Sequence, residues 1–437
     1  MDASLTEFRR YALPILPARR GGDAIRLKAE VAELYRRRLR ALEMLLLKDA
    51  PAAARDTGFD ALLRRFWLLP APRQDRLLLS PALSRWLFTV GCRLHPGGGT
   101  GAEMSALLGK VSHALAPSLL EEGVLGGDPF FLWGDRNGEV RFSGAGVKLA
   151  LGPRAAGRRL GARAEGGGLT LRAPGLAARI PLDRLARAFR GELVGSGFIR
   201  PDEARDPRSG ISFDSSEPLL LEVIGRTEIQ NKVYQRQTLG AEPIDGRAHR
   251  AAFLEALALL AAVWPEEHRE VLSYASLVVP VNSRRHLNGS LTHLQGTMFF
   301  TPRPQRWQNL EFIIHETVHL KMNLIRELFP LLRGRDRYVR SPWSGIPRLT
   351  SVLLEAGCIY LLVACGLKRA LNAGMAAPRQ DVEKRIRRLA AGFEPFWKLM
   401  RPEELTPAGR LFLDSFRSLA QAREQLPAAP LAKASRS

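Results

Sequence analysis

The chain has 437 residues, 46% of them hydrophobic, and its 65 Lys and Arg against 44 Asp and Glu give a net charge of +21. That apolar fraction excludes an intrinsically disordered chain. Cys92, Cys358 and Cys365 are too few for a disulfide scaffold and point to a reducing, cytoplasmic setting. Ten of the cations are Lys and 55 are Arg, spread over the whole length without a clustered stripe. The charge therefore argues against a nucleic-acid partner and for a mild preference for acidic ones. Length suits two to three domain equivalents, or one elaborated domain. No targeting segment is visible at Met1 to Arg20. The longest charge-free apolar run, Ala356 to Leu367, falls short of the roughly 20 residues a bilayer span needs, so no membrane partner is expected.

In chain order, residues 23–50 read as an amphipathic helix. Asp23 is the N-cap, Leu27, Val31, Leu34, Leu42 and Leu45 recur at helical spacing, and Pro51 stops the run. Arg36, Arg37, Arg38 and Arg40 form its opposite face, read as solvated. Helices are expected near 59–69, 81–91 and 102–122. From Asp128 the character changes. Phe130 to Trp133, then Asp135-Arg136-Asn137-Gly138, then Val140 and Phe142 predict a β-hairpin. The Gly- and Arg-rich stretch 144–190 predicts short strands, with a tight turn at Pro174-Gly175. Its glycines match no dinucleotide or P-loop pattern.

A strand is expected at Leu219 to Ile224, a helix at 247–263, and strands at Ser276 to Val281 and Leu294 to Phe300. A polar connection between these last two carries Asn282, Arg284, Arg285, His286, Asn288 and His293. Helices follow at 306–329, 348–371, 379–393 and 408–424, and the tail beyond Pro427 is expected to be disordered.

One motif dominates. His315-Glu316-Thr317-Val318-His319 is an HExxH sequence in a chain with 8 His, where chance gives such a motif on the order of 0.01 times. Phe312, Ile313, Ile314, Val318 and Leu320 make the helix apolar. Histidines at i and i+4 share one face, so both rings can reach one metal ion. Leaving two imidazoles buried there without a partner costs desolvation, although a pair of satisfied core histidines is the alternative. A third ligand is required. Glu355, a lone carboxylate on the next apolar helix, is the candidate, with an ion pair to Arg348 or Arg340 as the alternative. Two histidines and a carboxylate suit zinc in hydrolases and non-haem iron in oxygenases. The strand before the motif suits a zincin-like layout, in which an exposed edge strand takes an extended peptide.

The run Phe299-Phe300-Thr301, the HExxH motif with Leu320, Tyr338, Ser341-Pro342-Trp343, Pro347-Arg348 and the following apolar helix resembles the HExxH-type peptide-modification proteins found beside ribosomally made precursor peptides. That family includes 2-oxoglutarate-dependent peptide β-hydroxylases. The resemblance covers about 275–371. It departs at Leu349, where a Pro is expected, and at Glu355, where a His is expected. The resemblance implies Fe(II) and 2-oxoglutarate as cofactors, with a cation for the distal carboxylate. Arg348 is first choice and Arg340 second, because a guanidinium binds a carboxylate bidentately. On this reading Glu316 orients a ligand or water. On a hydrolase reading with zinc it is the catalytic base.

The expected fold is a predominantly helical α+β protein. A helical region (1–127) precedes a strand and loop region (128–245) with small β-hairpins, then the HExxH domain (246–426) and a tail (427–437). Three functions follow: an iron- and 2-oxoglutarate-dependent hydroxylase of a precursor peptide, a zinc metallopeptidase, or an inactive peptide-binding scaffold. Residues 1–200 are expected to recognise a leader segment, an acidic one if the Arg36 to Arg38 face takes part.

Overall fold

The computed structural model describes residues 22–49, 51–93, 101–125, 127–142, 145–192, 197–214, 246–281, 289–334, 336–375 and 377–424. The strand expected at Leu219 to Ile224, the connection from Asn282 to Asn288, the Asp23 cap and the tail fall outside the described residues or side chains.

Six helices come first: α1 (Gly22–Asp49), α2 (Pro51–Asp56), α3 (Phe59–Trp67), α4 (Ala71–Leu78), α5 (Pro81–Arg93) and α6 (Gly101–Glu121). Pro51 ends α1 and opens α2, because a proline lacks the N–H that the first helical turn leaves unbonded anyway. The strands β1 (Phe130–Trp133), β2 (Glu139–Phe142), β3 (Val147–Ala150), β4 (Arg159–Glu165), β5 (Gly168–Ala173) and β6 (Leu176–Pro181) follow, then helix α7 (Leu182–Phe189) and strands β7 (Ile199–Pro201) and β8 (Ser212–Phe213). They form antiparallel sheets of order β1-β4-β5-β6 and β2-β3-β7. The two-residue turn Pro174-Gly175 joins β5 to β6 as the sequence predicts, with Ala173 opposite Leu176.

The hairpin predicted across Asn137-Gly138 does not form. The turn exists, with Gly138 at φ 74°, but β1 pairs with β4 (Phe130 opposite Ala162) and β2 pairs with β3. The buried Asp135 carboxylate accepts from the Asn137 and Glu139 N–H groups, so this turn hands the chain from one sheet to the other. Local turn chemistry is right here, and the strand partner is set by tertiary pairing.

The second half holds α8 (Gly246–Val263), α9 (Pro265–Tyr274), β9 (Leu277–Pro280), β10 (Thr297–Phe300), α10 (Arg306–Leu328), β11 (Tyr338–Arg340), β12 (Pro347–Leu349), α11 (Thr350–Asn372), α12 (Arg379–Ala391), α13 (Phe393–Leu399) and α14 (Pro407–Glu424). The fold is thus mixed α+β and mainly helical. Strands β8 and β10 both run parallel to β9, in the order β10-β9-β8. Gly296, at φ 75°, makes the turn into β10, where a Cβ would meet Ser276 Oγ. β10 ends its sheet, yet its outer edge is partly taken. Phe299 donates to the Gly289 carbonyl (2.7 Å) and accepts from its N–H (3.2 Å), and the whole strand is buried.

Helix α10 is the centre of the molecule and packs on α1, α8, α9 and α11. One cluster of buried apolar side chains runs from Ala24 to Phe416, so the N-terminal helices share their core with α10. At Gly366 in α11 a Cβ would collide with Ile314 Cδ1, so glycine sets the close approach of these two helices. α11 is long and apolar enough to cross a membrane by length and composition. However, 72% of its apolar window is buried, which is the pattern of a core helix.

Beneath α10 lies a buried charge cluster. Lys321 donates to both oxygens of Glu270 in α9, at 2.9 and 3.0 Å. Beside them both oxygens of the buried Glu267 lack a hydrogen-bond partner among the described residues. Burial, reinforced by the Glu270 charge and only partly offset by Lys321, pushes the Glu267 carboxyl up from 4.5 to about 8. The folded chain therefore holds a proton there that the unfolded chain loses near 4.5. Stability from this group is complete below that pH and falls as pH rises through about 8. Melting temperatures measured at pH 5 and pH 8.5 are expected to fall with pH in the wild type, with a shallower slope in Glu267→Gln. An unchanged slope would refute a protonated Glu267.

Candidate metal centre

The loop entering α10 is fixed by Asn309, whose side chain accepts from Arg303 N (2.8 Å) and donates to Arg303 O (3.2 Å). From there an apolar stripe buries α10, and His315 and His319 lie one turn apart near the middle of the helix, each with about 30% of its side chain exposed. Their rings are 4.9 Å apart between centroids, and the two Nε2 atoms face each other at 3.2 Å. Two nitrogens held about 2.0–2.1 Å from one ion at a tetrahedral angle would lie about 3.3 Å apart, which fits the observed spacing.

The protonation state of His315 also fits. Burial, the neighbouring His319 and the Arg385 charge hold His315 well below its ordinary value, leaving it neutral. Burial also disfavours the charged form of His319, but the hydrogen bond to Glu355 and the charges of Glu316 and Glu355 outweigh it and raise its value. His319 Nδ1 donates to Glu355 Oε1 at 2.6 Å. Once the ring gives up its Nε2 proton and keeps the one on Nδ1, the Nε2 lone pair points at the space shared with His315, as in carboxylate–histidine–metal arrangements.

Glu316 stands beside this pair. Its Oε1 is 3.9 Å from His315 Nε2, and its buried Oε2 has no hydrogen-bond partner among the described residues. Burial raises its carboxyl. The His319 charge and a hydrogen bond from Ser290 work against that, and the Glu355 charge adds to it. Among the described residues, His315, Glu316 and His319 bring one donor atom each within 4.8 Å of one another. Two imidazoles and one carboxylate, its Oε2 buried without a hydrogen-bond partner among the described residues, form a donor set suited to a divalent ion.

The structure places Glu355 behind His319 rather than in the space between the two Nε2 atoms. Its second oxygen accepts from Arg326 Nη1 at 3.0 Å. The guanidinium on Glu355 is therefore Arg326, where the alternative to a ligand role names Arg348 or Arg340. Arg340 is exposed and donates to the Gly345 carbonyl of its own hairpin (3.0 Å). Arg348 is half-buried in β12, opposite Val339. The Ser341-Pro342-Trp343 loop between these strands does reach the centre's wall. Trp343 donates to the Leu389 carbonyl (2.8 Å) and packs on Tyr360 (4.9 Å between centroids), and Tyr360 lies edge-on to His315 at 6.2 Å.

Three residues of this neighbourhood went unread in the sequence. Arg326 carries a usable signal, since it follows His319 by seven residues and so shares its helix face. Tyr360 follows Glu355 by five residues on α11, which is a weak cue. Ser290 has none, because only the fold brings it to Glu316. His293 is not at this centre's core. It stacks on Phe88 of α5 at 4.8 Å, and burial followed by the Arg85 charge pushes it down to about 4. Cys358 packs in the core.

Glu355→Gln keeps the side chain's size but weakens the acceptor that orients His319. It is expected to lower divalent-metal affinity about 10–100-fold, the usual cost of losing a ligand's outer partner. Isothermal titration with Zn(II) measures this. Complete loss of binding would instead mark Glu355 as a direct ligand.

Comparison with protein-family models and with curated proteins gives no match for this chain.

Proposed function

We propose that the chain is a metal-dependent enzyme that hydroxylates a side chain of a ribosomally made precursor peptide, with Fe(II) and 2-oxoglutarate as cofactors. The observation that carries metal dependence is the pair of facing Nε2 atoms 3.2 Å apart beside the orphaned Glu316 oxygen. The reaction type rests on the resemblance of residues 275–371 to HExxH-type peptide-modification proteins. Bound Fe(II) would supply open positions for the keto acid and dioxygen. In the overall reaction one oxygen atom enters a peptide C–H bond, and the other appears in succinate as 2-oxoglutarate loses carbon dioxide.

The chain's own residues divide the remaining work. His315 and His319 hold the ion, and Glu355 and Arg326 set the tautomer and angle of His319. Tyr360 flanks His315 edge-on and Trp343 backs Tyr360. Arg348 and Arg340 remain the candidates for the distal carboxylate, on the resemblance. A zincin-like layout belongs to this proposal too. An added peptide strand on β10 must share the edge with Gly289, which already bonds Phe299.

A second reading, a zinc peptidase, is favoured by Glu316. A buried carboxylate with a free oxygen and a raised proton affinity can take a proton from attacking water and return it to the leaving amine. The two readings separate by mass. The full chain is incubated with Fe(II), 2-oxoglutarate and a precursor peptide in air. A gain of one oxygen that requires 2-oxoglutarate supports hydroxylation. Cleavage that persists without 2-oxoglutarate, and with Zn(II) alone, replaces it with hydrolysis.

A further inference from the structure

The Arg residues look scattered in the sequence, yet residues 151–192 hold nine Arg and no Lys against Glu165, Asp183 and Glu192. That is a net +6 in 42 residues of a chain whose total is +21. The sheet β1-β4-β5-β6 collects part of this excess on one side, because alternate residues of a strand share a face. Leu160, Ala162, Leu169, Leu171, Ala178 and Ile180 are buried on its inner side. Arg159 and Arg163 of β4, Arg172 of β5 and Arg179 of β6 are exposed on the outer side, and Glu165 is the one carboxylate these four strands carry.

Glu165 pairs with Arg163 at 3.0 Å. Arg179 lies across Gly168 and donates to the Gly166 carbonyl (2.9 Å). Arg159 covers the Phe131 ring at 4.2 Å. Arg172 makes no hydrogen bond or ion pair through its side chain among the described residues. It stands opposite Gly161 on one side and Ala177 on the other, so small residues leave its guanidinium room to reach over β6 to the sheet's edge.

The two edges of this sheet differ. β1 is closed by α6, where Ser112 Oγ donates to the Phe131 carbonyl (2.6 Å) and accepts from its N–H (2.8 Å). β6 pairs with β5 alone. In a two-residue hairpin the closing pair, here Ala173 and Leu176, is hydrogen-bonded, and so is every second pair beyond it, Leu171 with Ala178 and Leu169 with Ile180. The N–H and C=O groups of Ala177 and Arg179 therefore point outward, and no described residue bonds them. Such a row is a template for a further strand. Pro181, which has no N–H, limits its length.

The leader-binding face expected at Arg36 to Arg38 is already matched by carboxylates. Arg36 pairs with Glu33 and Asp75, Arg37 lies 3.8 Å from Glu33, and Arg38 lies 2.8 Å from Glu327 at the end of α10.

We propose that the outer edge of β6 takes an extended acidic segment of the peptide substrate by strand addition, its backbone on Ala177 and Arg179 and a carboxylate on Arg172. This rests on the peptide-substrate reading above. The charge of the sheet face selects an acidic segment, and the open ladder selects a peptide. A single-stranded nucleic acid needs bare rings for its bases, and Phe131 on this face is capped by Arg159.

The test is fluorescence anisotropy with the full chain and a short fluorescein-labelled peptide of alternating Thr and Glu, beside the same peptide with Gln for Glu. The Glu peptide is expected to bind, more weakly in high salt. A strand offers its neighbour only alternate N–H groups. Of two further peptides, N-methylated at every Glu or at every Thr, one should therefore lose binding and the other keep it. Arg172→Glu should weaken the Glu peptide by at least about tenfold, the scale of a charge-assisted contact. Ala177→Pro, which removes an N–H the sheet does not use, should weaken it as well. Both positions are exposed, so both variants should melt as the wild type does. His315→Ala should bind the peptide unchanged. Binding that depends on Arg172 and Ala177, with no change of peptide mass under Fe(II) and 2-oxoglutarate, would uphold the β6 edge and sink the enzymatic reading. No binding of the Glu peptide, equal binding of the Gln peptide, equal binding of both methylated peptides, indifference to Arg172→Glu, or displacement by a uridine oligonucleotide at the peptide's own concentration would overturn the proposal.

Discussion

Replacing either His315 or His319 with Ala is expected to abolish turnover and to weaken divalent-metal binding by more than about 100-fold, because losing even an outer partner of a metal ligand costs about 10–100-fold. The fold should survive. Both side chains are partly exposed, and α10 keeps its apolar stripe and the Lys321–Glu270 pair. The expectation follows from the paired nitrogens at 3.2 Å, since neither imidazole alone has another protein nitrogen facing it among the described residues. Removing His319 also strands Glu355, which then keeps only Arg326. His319→Ala should therefore lose somewhat more thermal stability than His315→Ala. Metal titration and melting curves on the same two variants check both statements. Metal affinity unchanged in both would show that the histidines are only packing.

The largest effect on stability is expected at Lys321. Its ammonium is buried and bonded to both Glu270 oxygens, with Glu267 alongside. Lys321→Ala takes both of these hydrogen bonds from the buried Glu270 carboxylate, and removing one member of a buried pair costs about 3–5 kcal/mol. The double variant Lys321→Met with Glu270→Met removes both charges and should recover most of that loss. Chemical denaturation of the three proteins is the measurement, and a loss below about 1 kcal/mol in Lys321→Ala would mean the pair is not buried as described. Because Lys321 sits two residues beyond His319 on α10 and Glu270 sits on α9, the same pair pins the metal helix to its neighbour.

What the sequence discloses and what it hides divide along range. Helix α10 was legible, nearly to its ends, because its apolar period is long and the two histidines fall on one face. The pairing of His315 with His319 needs only four residues of helix. The sequence offers Arg348 or Arg340 as the alternative to a metal-ligand role for Glu355, because it holds dozens of arginines and no distance. Arg326, 29 residues before Glu355 in the chain, reaches it only once α10 and α11 pack around Gly366. The strand β1 was legible, but its partner was not, since Asp135 turns the chain into a different sheet. Helices α4 and α9 were overlooked although Pro72 and Pro265 mark their first turns, a position where proline is favoured. The exposed edge expected at β10 carries Gly289 because a loop far from it in pattern, though near in sequence, returns to bond Phe299.

The claim on which the function rests is that His315 and His319 bind one ion together through Nε2. X-ray absorption fine structure of the Zn(II)-loaded full chain, beside His315→Ala, reads this directly. Two imidazole nitrogens at about 2.0–2.1 Å are predicted in the wild type and one in the variant. A shell of oxygen alone, or an imidazole signal that His315→Ala leaves unchanged, would contradict it.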